Sequence, residues 1–184
     1  MSREGANKYH PVVVLLHWTL AWFIVASLAF GFFVLEPMPS TDARKLDMLQ
    51  WHMGLGMAIA AAMLVRLVAR RRSARPAPAG LGTPASARAA GWAHVAFYVL
   101  VFGMVISGYA TGLLARLNEI VFARSGAPLP ATFDAYPTFH VHGWIAALLS
   151  VLIALHVAGA LWHWLARRDK VMGRMGLGGR RLEG

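Results

Sequence analysis

The chain has 184 residues, of which 58% are hydrophobic and only 14% charged, with a mean hydropathy of +0.52. That is too apolar for an ordinary soluble surface and makes a membrane protein the default expectation. The absence of cysteine excludes disulfides, thiolate metal sites, iron–sulfur clusters and thioether-linked c-type haem.

Four stretches carry no Asp, Glu, Lys or Arg: Val12–Leu35, Met48–Val65, Ala89–Ala115 and Phe139–Ala166. Each is long enough to cross a hydrocarbon core of roughly 30 Å as a helix, and lipid permits only internally bonded backbone. The expected fold is all-α, a transmembrane four-helix bundle. In the first span, Ser27-Leu28-Ala29 has the form of a signal-peptide cleavage site, but the apolar run continues through Phe30 to Leu35, longer than a signal core. It is therefore read as a span.

The first connection carries Arg44 and Lys45. The second, Ser73–Ser86, is rich in Pro, Ala and Gly and reads as a flexible connector. The third is longer, holds Arg116, Glu119, Arg124 and Asp134, and includes a short interfacial helix around Leu117–Phe122 that would lid a site. Fourteen of the 18 Lys and Arg fall in the N-terminus, the 66–88 segment and the C-terminal tail, together with three of the eight acidic residues. The positive-inside rule then places both termini in the cytoplasm, so the net charge of +10 reflects topology rather than nucleic-acid binding. Residues 1–170 read as one four-span domain, and 171–184 as a disordered inner tail with the glycine-rich Gly176–Gly179.

Eight histidines in so oily a chain are the chemical anomaly. An unpaired imidazole is unfavourable in hydrocarbon, so an intramembrane His is a functional hypothesis by default. On the fourth span, His142 and His156 are 14 residues apart, which returns to nearly the same face and separates them by about 21 Å. They mark two levels. His52 lies at the depth of His142, and His17 at the depth of His156, although His94 competes with His17 for the inner position. Paired imidazoles without carboxylate or thiolate suit zinc, copper or di-iron poorly and suit the axial positions of noncovalent b-type haem well. Two such ligands leave iron no open position, which favours electron transfer. His163, seven residues beyond His156 on the same face, is placed to donate to a haem propionate or a quinone oxygen and is the candidate catalytic proton carrier. His10 and His140 read as boundary residues.

The order Lys8-Tyr9, Leu16-His17-Trp18, Trp51-His52-Met53-Gly54, Arg66-Leu67, Ala93-His94 with Phe97-Tyr98, Gly108, His142 and Leu155-His156 resembles the bacterial cytochrome b561 family over nearly the whole chain. The resemblance implies two haem b groups in an inner-membrane protein, the outer held by His52 and His142 and the inner by His17 and His156. It also implies electron exchange with membrane quinone, ubiquinone in the branch of this size that oxidises superoxide at the outer face. For an anionic donor of that kind, Arg44, Lys45, Arg116 and Arg124 would supply local positive potential. The alternative within the family is a b-type relay and anchor subunit for a peripheral hydrogenase or dehydrogenase, which would be its redox partner.

Overall fold

The computed structural model describes residues 9–73, 84–167 and 172–176. Every regular element among them is helical: α1 (Pro11–Phe30), continued by a π-helical turn Gly31–Leu35, α2 (Lys45–Arg72), α3 (Pro84–Leu114), a π-helical turn Asn118–Phe122, α4 (Pro137–Leu165) and a 3₁₀ turn Met172–Met175. All four long helices have the length and apolarity to cross a membrane. Their outward faces carry large exposed hydrophobics such as Trp22, Phe33, Trp144 and Trp162, as a lipid-facing surface requires.

The termini of the helices follow from local chemistry. Pro11 and Pro137 open α1 and α4, where a missing N–H costs nothing because the first turn has no partner for it. The His10 Nδ1 accepts from the Val12 N–H (3.3 Å) and caps α1. Arg70, Arg71 and Arg72 close α2, where cations complement the negative end of the helix dipole. Helix α2 extends beyond the apolar run 48–65 at both ends, because Lys and Arg are good helix formers that carry the hydrogen-bond ladder past the lipid boundary. Much of the 66–88 segment expected as a loop is thus helical, Arg66–Arg72 in α2 and Pro84–Arg88 in α3. Within the expected connector 73–86, residues 84–86 begin α3 and 74–83 lie outside the described residues.

Helix α1 packs on α2 and α3 on α4, with a thinner seam between α2 and α3. The central core is Leu20, Ile59, Met63, Val101 and Leu149. Leu149 is seven residues from both His142 and His156, so this apolar layer separates the two histidine levels.

The helix expected at Leu117–Phe122 is the π-helical turn Asn118–Phe122, which exposes Glu119 and Phe122 and buries its other face. Val121 is fully buried, and with Ala115 and Leu117 it packs against Leu46, Leu49, Met53, Phe133 and Tyr136 to plug the outer end of the bundle. Arg116 and Arg124 on either side have positive φ (55° and 51°), the left-handed conformation that lets a helical segment end and the chain turn back. At the inner end, the Trp18 Nε1–H donates to the Met175 carbonyl (2.9 Å), which folds Met172–Met175 against α1. Residues 177–184 of the expected tail lie outside the described residues.

Candidate cofactor site

At the outer level, α2 and α4 bring His52 and His142 together with ring centroids 6.2 Å apart and planes at 76°. A metal–imidazole bond of about 2 Å, with about 1 Å more to the ring centre, puts two axial rings on one metal about 6 Å apart. The pair therefore fits a single metal between the rings. The His142 Nδ1–H points at the Met104 carbonyl (3.0 Å) and the Ser107 Oγ (3.2 Å), and the Ser107 hydroxyl donates in turn to the Gly103 carbonyl (2.7 Å). A carbonyl only accepts, so Nδ1 carries the proton and Nε2 keeps its lone pair for a metal, the usual support of a ligating His.

Glycine makes room for the His142 ring, while Gly31 stands in ordinary contact with His52. A Cβ on Gly108 would sit 3.0 Å from His142 Cε1, and one on Gly31 would sit 3.7 Å from His52 Cε1. Phe30 stacks on His52 (6.4 Å, 22°), and the His52 Nδ1 is buried with no hydrogen-bond partner among the described residues. A cavity of about 490 Å³ opens between these side chains, and its walls include His52, His142, Met53, Met104 and Lys45. Its apolar lining and size suit a large flat cofactor.

At the inner level, His156 of α4 faces two imidazoles: His17 of α1 at 6.4 Å and 73°, and His94 of α3 at 6.1 Å and 87°. Distance does not separate them. The His94 Nδ1–H donates to the Ala90 carbonyl (2.7 Å), whereas the His17 Nδ1 is 3.4 Å from a guanidinium N–H of Arg66. Phe97 packs its ring edgewise against His156 (5.2 Å). His163 is partly buried in the last turn of α4, and His140 is exposed with its Nε2–H on the Asp134 carbonyl (2.9 Å), facing away from the pair as its register requires. Among the described residues, no three His, Cys, Asp or Glu side chains gather to hold a bare metal ion. The outer level thus offers a pair of imidazoles, and the inner level offers His156 with a choice of two partners, to a group that brings its own equatorial ligands; the residues present fit b-type haem.

The outer cations sort into two kinds. Arg44 is paired with Asp42 (2.9 Å), Arg116 with Glu119, and Arg124 with Asp47 (2.7 Å) and the Gln50 side-chain Oε1 (2.6 Å). The hydrogen bond from the Arg44 side chain holds the Asp42 carboxyl down to about 2, and the same contact with Arg116 lowers Glu119. Lys45 is different: it is buried, donates to the Met38 carbonyl, lies 5.8 Å from the Phe133 ring and meets no carboxylate among the described residues. Sequence reasoning ranked these four together, since only packing distinguishes a neutralised cation from a sequestered one. It also passed over Ser107 and Gly31, which carry no motif of their own.

Residues 8–178 match the family described as prokaryotic cytochrome b561. A relative in Escherichia coli strain K12, cytochrome b561 homolog 2, is 26% identical over 172 residues, covering 92% of this chain and 91% of its own. The chain belongs to the prokaryotic cytochrome b561 family and is a multi-pass, membrane-embedded b-type cytochrome of electron transfer.

Proposed function

We propose that the protein is a dihaem oxidoreductase of the bacterial inner membrane, with both termini cytoplasmic, that passes electrons from an outer one-electron donor to ubiquinone, superoxide being the candidate donor. The observation that carries this reading is the matched spacing of His52 with His142 and of His17 with His156, 6.2 and 6.4 Å between ring centres at two depths of one bundle. Noncovalent haem b at each level would supply one-electron chemistry at iron with no open coordination position. His52 and His142 hold the outer group, and His17 and His156 the inner, within a single domain spanning residues 1–170.

The chain's own residues do the rest. The Met104 carbonyl and Ser107 keep His142 in the metal-binding tautomer. The apolar packing around Val121 covers part of the outer level. Lys45 supplies the positive potential that attracts an anionic donor, a role its three paired neighbours are poorly placed to share. Two superoxide anions give up one electron each and leave as dioxygen, and one quinone takes the two electrons with two protons to become quinol. His163 delivers protons at the inner end of α4.

The test uses purified protein, a superoxide source and ubiquinone. Quinone-dependent superoxide consumption is expected, and His163→Ala should slow quinone reduction while leaving both haem spectra intact. Protein that carries both haems yet consumes superoxide no faster than buffer would instead mark a relay subunit for a peripheral dehydrogenase or hydrogenase. Unchanged turnover in His163→Ala would remove that residue from the scheme.

A further inference from the structure

Arg66 is only 8% exposed, although it lies 14 residues beyond His52 on α2, at the inner histidine level. A guanidinium presents five N–H donors and no acceptor. Here one nitrogen donates to the Tyr98 hydroxyl (3.0 Å), another faces His17 Nδ1 (3.4 Å), and the buried Nε has no hydrogen-bond partner among the described residues. The acidic residues among those described are Glu36, Asp42, Asp47, Glu119 and Asp134, all at the opposite ends of the helices. Asp47, on the same helix, is 19 residues away, about 28 Å along the axis. A buried cation with no anion is strongly disfavoured, so this one calls for a counter-charge from outside the described chain.

The need grows once His17 acts as a ligand. Binding metal through Nε2 puts the proton on Nδ1, and Arg66 then loses that acceptor as well. The guanidinium points inward, toward side chains of α1 and α3, rather than out at lipid headgroups. The anion that arrives at this depth together with the cofactor is a propionate carboxylate of the porphyrin. We infer that Arg66 is the anchoring cation for a propionate of the inner haem, which makes it a positioning residue for that group; this rests on the inner level holding haem as proposed above.

The test is a double cycle on haem retention in the full-length protein. Parent and Arg66→Gln are each loaded with haem b or with its dimethyl ester, in which both carboxylates are masked, and release of each haem to an excess of apomyoglobin is timed. Arg66→Gln should speed release of one haem at least tenfold, and that haem should be the one missing in His156→Ala. The ester should have the same effect on the parent, and combining ester with Arg66→Gln should add little, because both remove one interaction. Arg66→Lys should recover part of the loss by keeping the charge. The ester arm needs no substitution, so it decides the matter even where a variant fails to assemble. Fully additive effects, or an ester held by the parent as tightly as the acid, would overturn the inference and mean that the counter-ion is not carried by the cofactor. A parent that binds no haem would overturn the functional reading and this inference together.

Discussion

Replacing Gly108 with Ala should selectively loosen the outer haem. The new Cβ would lie 3.0 Å from His142 Cε1 and 3.2 Å from its Nδ1, against an ordinary carbon contact of about 3.5–4.0 Å, so roughly 0.5 Å must be found. His142 has little room to yield. Its Nδ1 bonds to the Met104 carbonyl and Ser107 are 3.0 and 3.2 Å, and a half-ångström displacement takes either toward the limit of hydrogen bonding. Overpacking of this kind costs about 1–3 kcal/mol. Disturbing the group that orients a ligating His lowers metal affinity about 10–100-fold, or about 1.4–2.7 kcal/mol, and the two figures describe one event rather than a sum. The expected result is a 10–100-fold weaker outer haem with the inner haem unchanged, read by titrating apoprotein with haem and assigning each level through His142→Ala and His156→Ala. Two controls isolate the cause. A Cβ on Gly143 meets nothing within 4 Å, and one on Gly112 meets only the flexible Met53 Cε at 3.2 Å, so Gly143→Ala and Gly112→Ala should bind both haems as the parent does. Parent-like affinity in Gly108→Ala, or equal damage in Gly143→Ala, would refute the reasoning.

Ser107→Ala should be milder, since the Met104 carbonyl still holds the His142 tautomer. Losing one hydrogen bond to the ligand, about 0.5–1.5 kcal/mol, makes the imidazole a weaker donor and should raise the outer midpoint potential in a redox titration, whereas a lower potential would reverse the assigned polarity. Lys45→Gln should slow reduction by an anionic donor several-fold at 0.01 M salt, where the Debye length is about 30 Å, and the difference should vanish near 1 M, where it is about 3 Å; a salt-independent loss would mean that Lys45 acts through packing instead. The Asp42 carboxyl, with its pKa depressed from 3.8 to about 2 by Arg44, contributes stability that is present above 3.8 and lost as pH falls through about 2. Carboxyl NMR should find that midpoint in the parent and a return toward 3.8 in Arg44→Gln, and an ordinary value in the parent would dissolve the pair.

The spans were legible because lipid allows no charged residue to interrupt them, and the 14-residue interval on α4 set the face and the two depths of His142 and His156. His52 lies 6.2 Å from His142 and His17 lies 6.4 Å from His156 between ring centres. His94 was left open by the sequence, and it stands equally close to His156. What the sequence concealed lies in side chains whose role depends on neighbours from other helices. Arg66 entered the reading as a basic residue of an inner segment and, with Leu67, as a carrier of the resemblance, with no role of its own; packing draws it into the bundle, since α2 continues past the apolar run as a helix. Lys45 and Arg44 are adjacent in sequence, but one is buried and the other exposed and paired, a difference set by the turn at Asp42 and by the plug from the third connection. Ser107 carries no signal until α4 places His142 against it.

Haem content per chain bears most directly on the central claim, measured by pyridine haemochrome on purified parent, His17→Ala, His52→Ala, His142→Ala, His156→Ala and His94→Ala. The account predicts two b-type haems in the parent, loss of the matching haem in each of the first four variants, and two haems retained in His94→Ala. A parent without haem would contradict the account outright, and loss of the inner haem in His94→Ala but not in His17→Ala would transfer the inner ligand from α1 to α3.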